Sequence, residues 1–153
     1  MTFIEDFDTC VCLGESIHAW VAGFSVTAFV ERDDGSDAPD ERQEGFWPSL
    51  YKDAPGFIGP GNRFRQRFAD AQAKAEAIME AWKAGDWFYC GIVLSISYDD
   101  VLLDDRAASL WGIEANYPGT DNSNLRTVAN ELLPDAVARG REVLDRLRKA
   151  SST

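Results

Sequence analysis

Apolar and polar positions alternate along the first part of the chain. Residues 9–21 and 24–30 each place apolar side chains at nearly every second position, with Ala22-Gly23 between the two stretches. A period of two is typical of a strand with one buried face, and a short glycine-containing connection is typical of a hairpin turn. The pattern therefore predicts two antiparallel strands joined by a tight turn at Gly23.

Helical periodicity begins after residue 62. From Phe64 to Trp82, apolar residues recur every three or four positions, which places them on one face of an amphipathic helix over 63–84. Asn62 is the predicted N-cap and Gly85 the predicted stop. A second amphipathic helix is predicted over 121–149, where Pro134 should kink or divide it.

The period returns to two between these helices. Residues 87–98 predict one strand, Asp99-Asp100 a turn, and residues 101–103 and 109–115 two further short strands. Asp104 and Asp105 are expected to lie outside these strands, because acids are typical of turns and strand edges. The sequence thus predicts an α+β fold with the order β-β-loop-α-β-β-β-α, an antiparallel sheet of about five strands with two long helices packed on one face.

One long stretch has neither period. Residues 33–62 contain four of the six prolines and a dense cluster of acids, so they predict a long acidic loop. Aromatic and aliphatic residues between Phe46 and Ile58 should order its second half, near 45–60, and leave the acidic first half looser. At 153 residues, the whole chain has the size of a single domain.

Composition adds a large and uneven negative charge. The net charge is −11, and acids are concentrated at 1–15, 31–44 and 86–114, whereas the two predicted helices are slightly basic. Such a surface repels phosphate groups, which argues against direct binding of nucleic acid or of an anionic membrane. The natural complement is a partner protein with a basic surface.

Neither a secretory signal nor a membrane span is expected from the sequence. The first eight residues contain three acids and no Lys or Arg, unlike a secretory signal, and no uncharged apolar stretch approaches the length of a membrane span. Three cysteines without such a signal indicate reduced thiols. We therefore expect a cytoplasmic protein of a bacterial cell that does not bind a membrane.

Candidate catalytic and metal-binding groups are sparse. His18 is the only histidine, and no triad motif accompanies it, so the sequence favours binding over catalysis and predicts no cofactor and no metal. The alternative is a metal-binding protein or enzyme that uses clustered carboxylates or a Cys/His set. Zinc ligands would be Cys10, Cys12, His18 and Cys90, although they lack C-x-x-C spacing, and the acids from Asp33 to Asp37 do not follow the EF-hand calcium pattern.

Several strings in the chain resemble small uncharacterised proteins of bacteriophages, prophages and plasmids. The resemblance covers residues 14–145 and is carried by GFWPSL at 45–50, WFYCGIV at 87–93, ASLWGIEANYP at 108–118 and VANELLP at 128–134. It implies a setting on mobile DNA, where small acidic cytoplasmic proteins that block host defence are a familiar class. It implies no role for any particular residue.

Charge and resemblance together lead to a functional hypothesis. The chain is expected to be a non-enzymatic accessory protein that binds a host nucleic-acid-handling protein as an acidic nucleic-acid mimic, of anti-CRISPR or anti-restriction type. A further alternative is a self-assembling structural or regulatory phage protein, in which the amphipathic C-terminal helix pairs with its copy in a homodimer. The candidate partner-binding residues are Asp33, Asp34, Asp37, Asp40, Glu41, Glu44 and, as an aromatic anchor, Trp47.

Overall fold

The computed structural model describes residues 2–151, which form strands and helices of an α+β fold. The elements in chain order are β1 (Ser16–Val21), β2 (Phe24–Arg32), α1 (Pro39–Arg42), α2 (Phe64–Lys83), β3 (Phe88–Tyr98), β4 (Val101–Ala115) and α3 (Ser123–Ser151). These residues divide into two compact units. The first, residues 2–34 with 88–151, contains the sheet and α3, and the second, Gly35–Trp87, contains α1 and α2.

The sheet in the first unit is antiparallel, with the strands in sequential order from β1 to β4. Its outer hairpins have two-residue turns, Ala22-Gly23 and Asp99-Asp100, and all four of these residues have positive φ. Paired positive φ values are typical of type I′ turns, whose twist matches that of the flanking strands. Both predicted turns are therefore confirmed.

The first strand is shorter than predicted. It begins at Ser16, and residues 9–15 are not part of it. Asn116 explains the difference, because its side chain bonds both backbone groups of Val11: the Val11 amide donates to Asn116 Oδ1 at 2.7 Å, and Asn116 Nδ2 donates to the Val11 carbonyl at 2.9 Å. Val11 is buried, but its backbone is bonded to a side chain instead of a neighbouring strand.

The sheet has four strands instead of five, because one long strand replaces the two predicted after Asp100. The 15 residues of β4 pair with the 11 of β3, and the excess is absorbed at three irregularities in the ladder. Asp104 lies inside β4, where Arg139 Nε of α3 donates to its Oδ2 at 2.8 Å and lowers the pKa of the carboxyl group. The bulges and this ion pair with a distant residue keep the backbone in a strand at positions where the local sequence is typical of a turn.

α3 covers one face of the sheet. Alternate residues of the central strands are buried there, with Val26 and Ala28 on β2 and Ile92 and Leu94 on β3 among them. The helix is continuous and is not divided at Pro134, which is exposed. The residues of α3 that are buried are Leu125, Ala129, Leu132, Leu133, Ala136, Val137 and Gly140.

In the second unit, α2 ends as predicted but begins differently. Gly85 has a φ of +80°, and the amides of Gly85 and Asp86 donate to the carbonyls of Trp82 and Ala81, which is a Schellman motif. The predicted N-cap, Asn62, is wrong because Arg63 occupies the cap position in a left-handed conformation, without a side-chain cap bond. Trp87 Nε1 donates to the Ile78 carbonyl at 3.0 Å within the same unit.

The long loop contains more local structure than its composition predicts. It includes α1, and Ser49 and Phe57 form a parallel bridge in which the Ser49 amide donates to the Gly56 carbonyl at 3.0 Å. Gly45 and Gly56 touch, since a Cβ on Gly45 would lie 2.8 Å from the Gly56 nitrogen. The second half of the loop is thus held by its own backbone. Within residues 2–151, no helix has both the length and the apolar character needed to cross a membrane.

Candidate protein-binding surfaces

The predicted acids of the second unit lie on and around α1. Pro39 begins this short helix and is buried. Asp37, Glu41 and Glu44 are exposed, and Asp40 is half-buried. Residues 37–47, which we call the acidic segment, therefore present carboxylates along one continuous stretch of chain.

Trp47 lies beside these carboxylates, where an aromatic anchor was predicted. Its Nε1 donates to Asp40 Oδ2 at 3.4 Å, and its ring meets that of Phe46 edge-on, with the centroids 5.3 Å apart. The side chain remains 36% exposed. The indole is thus oriented by two neighbours and still open to a partner.

Asp33 does not belong with the exposed carboxylates. The Gly112 amide donates to its Oδ2 at 2.8 Å, and its own amide donates to the Tyr89 carbonyl at 3.2 Å, so it joins the end of β2 to the neighbouring strands. Asp34 is exposed in the first unit and lies 4.0 Å from Arg32 Nε. Of the six predicted acids, Asp33 is therefore the one whose side chain holds strands together instead of facing solvent with the other carboxylates.

The predicted zinc ligands are not brought together. Cys10 and Cys12 are exposed, whereas Cys90 is buried in β3, and His18 Nε2 lies 2.6 Å from the Ser25 hydroxyl oxygen. Burial, with the nearby charge of Asp33, raises the pKa of the Cys90 thiol to about 12. Across residues 2–151, no group of three or more His, Cys, Asp or Glu side chains is placed to hold a metal ion.

The apolar stripe of α3 has an intramolecular explanation. Its buried residues form one cluster with those of the sheet, so the periodicity that suggested pairing with a second copy reflects the core of the first unit. Toward the C-terminal end, Leu144 also packs against this cluster, and Leu147 is exposed. A homodimer through this helix stays a prediction without a specific surface to support it.

Trp20 is a further exposed aromatic residue, and it was not predicted to be an anchor. Trp20 on β1 is 67% exposed, and its ring meets that of His18 edge-on, with the centroids 5.3 Å apart. The alternation along β1 contained the signal, because Ile17 and Ala19 are buried on one face and the residues between them must point away. Trp20 lines two open hollows of about 540 and 500 Å³.

No protein-family model, curated protein or solved structure matches the chain.

Proposed function

We propose that this chain is a non-enzymatic binding protein that places its exposed carboxylates against the basic surface of a host nucleic-acid-handling protein, where nucleic acid would otherwise bind. The acidic segment is the observation that carries the proposal. It holds four carboxylates between Asp37 and Glu44, against the single Arg42, with the partly exposed ring of Trp47 beside them.

Electrostatic attraction to the basic surface of the partner would drive binding. Proteins that bind nucleic acid present Lys and Arg to phosphates, and the release of counterions provides much of the binding free energy. Clustered carboxylates on a chain of net charge −11 would attract the same basic groups over a distance and speed the encounter. Trp47 would add a desolvated contact, since Trp is enriched among the residues that dominate binding energy.

The setting follows from the sequence resemblance. Mobile elements must evade host nucleases, and a CRISPR effector or a restriction enzyme has the basic groove that an acidic mimic requires. In this proposal the protein acts in the cytoplasm of a bacterial host, needs no cofactor and does not itself bind nucleic acid.

Neutralising the acidic segment tests the proposal. The variant combines Asp37→Asn, Asp40→Asn, Glu41→Gln and Glu44→Gln, and leaves Asp33 unchanged because it bonds the Gly112 amide. Displacement of a labelled DNA duplex is measured on a panel of purified restriction enzymes and CRISPR effectors. We expect the native chain to displace DNA from at least one of them, and the variant to need at least about tenfold more protein, equivalent to about 1.4 kcal/mol.

A matched control variant distinguishes the effect of the acidic segment from the effect of total net charge. It neutralises four exposed acids elsewhere on the helices and changes the total charge equally, by Glu80→Gln, Glu131→Gln, Asp135→Asn and Asp145→Asn. The control should displace DNA nearly as well as the native chain. An equal loss in both variants would assign the effect to net charge alone, and a native chain that displaces DNA from no enzyme would remove the proposal.

A further inference from the structure

We propose that the outer edge of β1 is a second binding surface, which takes an extended basic segment of a partner protein as an additional strand. This surface belongs to the first unit and uses none of the residues of the acidic segment. It consists of unpaired backbone groups, the exposed ring of Trp20 and the two hollows that flank it.

The hairpin turn determines which backbone groups are available. β1 is an edge strand, and in a hairpin with a two-residue loop the pair flanking the turn, here Val21 and Phe24, exchanges both backbone hydrogen bonds. Hydrogen-bonded pairs alternate along an antiparallel ladder, so Ala19 and Ile17 also bond β2. The Val30 amide, which donates to the Glu15 carbonyl at 3.0 Å, continues the same series.

The intervening residues of β1 therefore direct their amides and carbonyls away from the sheet. These residues are Ser16, His18 and Trp20, and no backbone bond joins them to another strand of the described chain on that side. Natural edge strands usually carry charged residues or proline that discourage pairing, but β1 reads SIHAWV and has neither. The edge is suited to the addition of a strand.

Trp20 and the hollows supply places for the side chains of such a strand. The first hollow is lined by Thr2, Ile4 and Glu5 together with His18, Ala19 and Trp20. The side chain of Ala19 points to one face of β1, and those of His18 and Trp20 point to the other. The hollow therefore extends around the edge of the strand. Ile4 is 84% exposed there and offers an apolar contact.

The charges around Trp20 favour a cationic occupant. Glu5 lines the first hollow, and Asp99 and Asp100 line the second, whereas no Lys or Arg among residues 2–151 lines either hollow. Arg148 lies 5.9 Å from the centroid of the Tyr98 ring at the second hollow, so the three carboxylates still outnumber the nearby cation. A guanidinium group can stack on an indole ring while bonding a nearby carboxylate. An arginine of the added strand near Trp20 could therefore stack on the indole ring and bond a flanking carboxylate.

A second copy of this chain fits the edge less well. Pairing two β1 edges would join two molecules that each have a net charge of −11 and that each carry Glu5, Asp99 and Asp100 around this edge. Like charges placed close together oppose association. The basic segment is thus the occupant to which we commit.

Hydrogen exchange on the full chain tests strand addition. The probe is a capped, tryptophan-free peptide that alternates arginine with valine, and the control peptide has glutamate in place of arginine. At saturating arginine peptide, exchange of the His18 and Trp20 amides should slow by at least about tenfold, while the Ala19 amide, already bonded to β2, changes little. The indole signal of Trp20 should shift in the same titration.

Variants separate the contributions to this surface. His18→Pro removes an outward donor and keeps the bonds to β2, and Trp20→Ala removes the ring, so each should weaken peptide binding by about tenfold. Asp99→Asn with Asp100→Asn should weaken it as well, and asparagine tolerates the positive φ of this turn. Tyr51→Ala, an exposed aromatic residue of the second unit, serves as the control that retains binding.

Three results would overturn the inference: no protection of these amides at saturating peptide, equal protection by the glutamate peptide, or protection that rises with protein concentration without peptide, which would indicate pairing of two copies. The DNA-displacement assay tests the proposed function separately from strand addition, because the acidic segment is intact in every one of these variants.

Discussion

Two neighbouring aspartates at the end of β2 have different roles. Asp33 accepts a hydrogen bond from the Gly112 amide and adds its charge to the burial that raises the pKa of Cys90, whereas Asp34 is exposed. Composition identifies both as acids of a loop. It cannot distinguish them, because the partner of Asp33 lies 79 positions away on another strand. The exposed carboxylates of the acidic segment needed no such partner, and their exposure was predictable from local sequence.

The three cysteines should differ sharply in reactivity. Cys10 and Cys12 are exposed, but Cys90 is buried and has a pKa of about 12, so almost none of it is the reactive thiolate at pH 8. We expect iodoacetamide to add two groups to the folded protein at about pH 8, and a third only in denaturant. Intact-mass spectrometry counts the adducts. A third adduct that forms as fast as the first two would contradict the assigned burial of Cys90.

At the scale of elements, the local periodicities predicted the first hairpin, β3, α2 and α3. The predictions were wrong where contacts with residues distant in sequence determine the backbone conformation. Arg139 and the ladder with β3 hold Asp104 inside a continuous strand, and the Asn116 side chain replaces strand pairing at Val11. Neither contact has a local sequence signal, so strand number and the beginning of β1 were not predictable.

The N-terminal segment depends on a buried asparagine. Asn122 is 1% exposed, and its Nδ2 donates to the carbonyls of Asp8 at 3.1 Å and Thr9 at 3.0 Å. Asn122→Asp keeps the shape but removes both donors and places a carboxylate against two carbonyls. We expect it to lower the free energy of unfolding by about 2–4 kcal/mol, measured by urea denaturation.

A matched change at an exposed position completes that test. Asn62→Asp alters the same chemical group where the side chain is exposed, and should change stability by less than about 0.5 kcal/mol. If Asn122→Asp unfolds at the same urea concentration as the native chain, the Asn122 contacts do not stabilise the N-terminal segment.

At the scale of the whole molecule, the two proposed surfaces share a negative charge. The chain has a net charge of −11, and both the acidic segment and the flanks of Trp20 present carboxylates beside an exposed indole. Composition alone predicted a basic partner. It could not show that the acids lie beside two separate tryptophans, since the position of Trp20 depends on the β1–β2 hairpin and that of Trp47 on its contacts with Asp40 and Phe46.

The most direct test of the proposed function is the salt dependence of binding to an enzyme that the DNA-displacement assay identifies as a partner. If carboxylates occupy a phosphate-binding groove, affinity should fall by at least about tenfold between about 50 and 200 mM salt, and neutralising the acidic segment should flatten this dependence. Affinity that does not change over that range, or a dependence that the neutralised variant retains in full, would contradict the account.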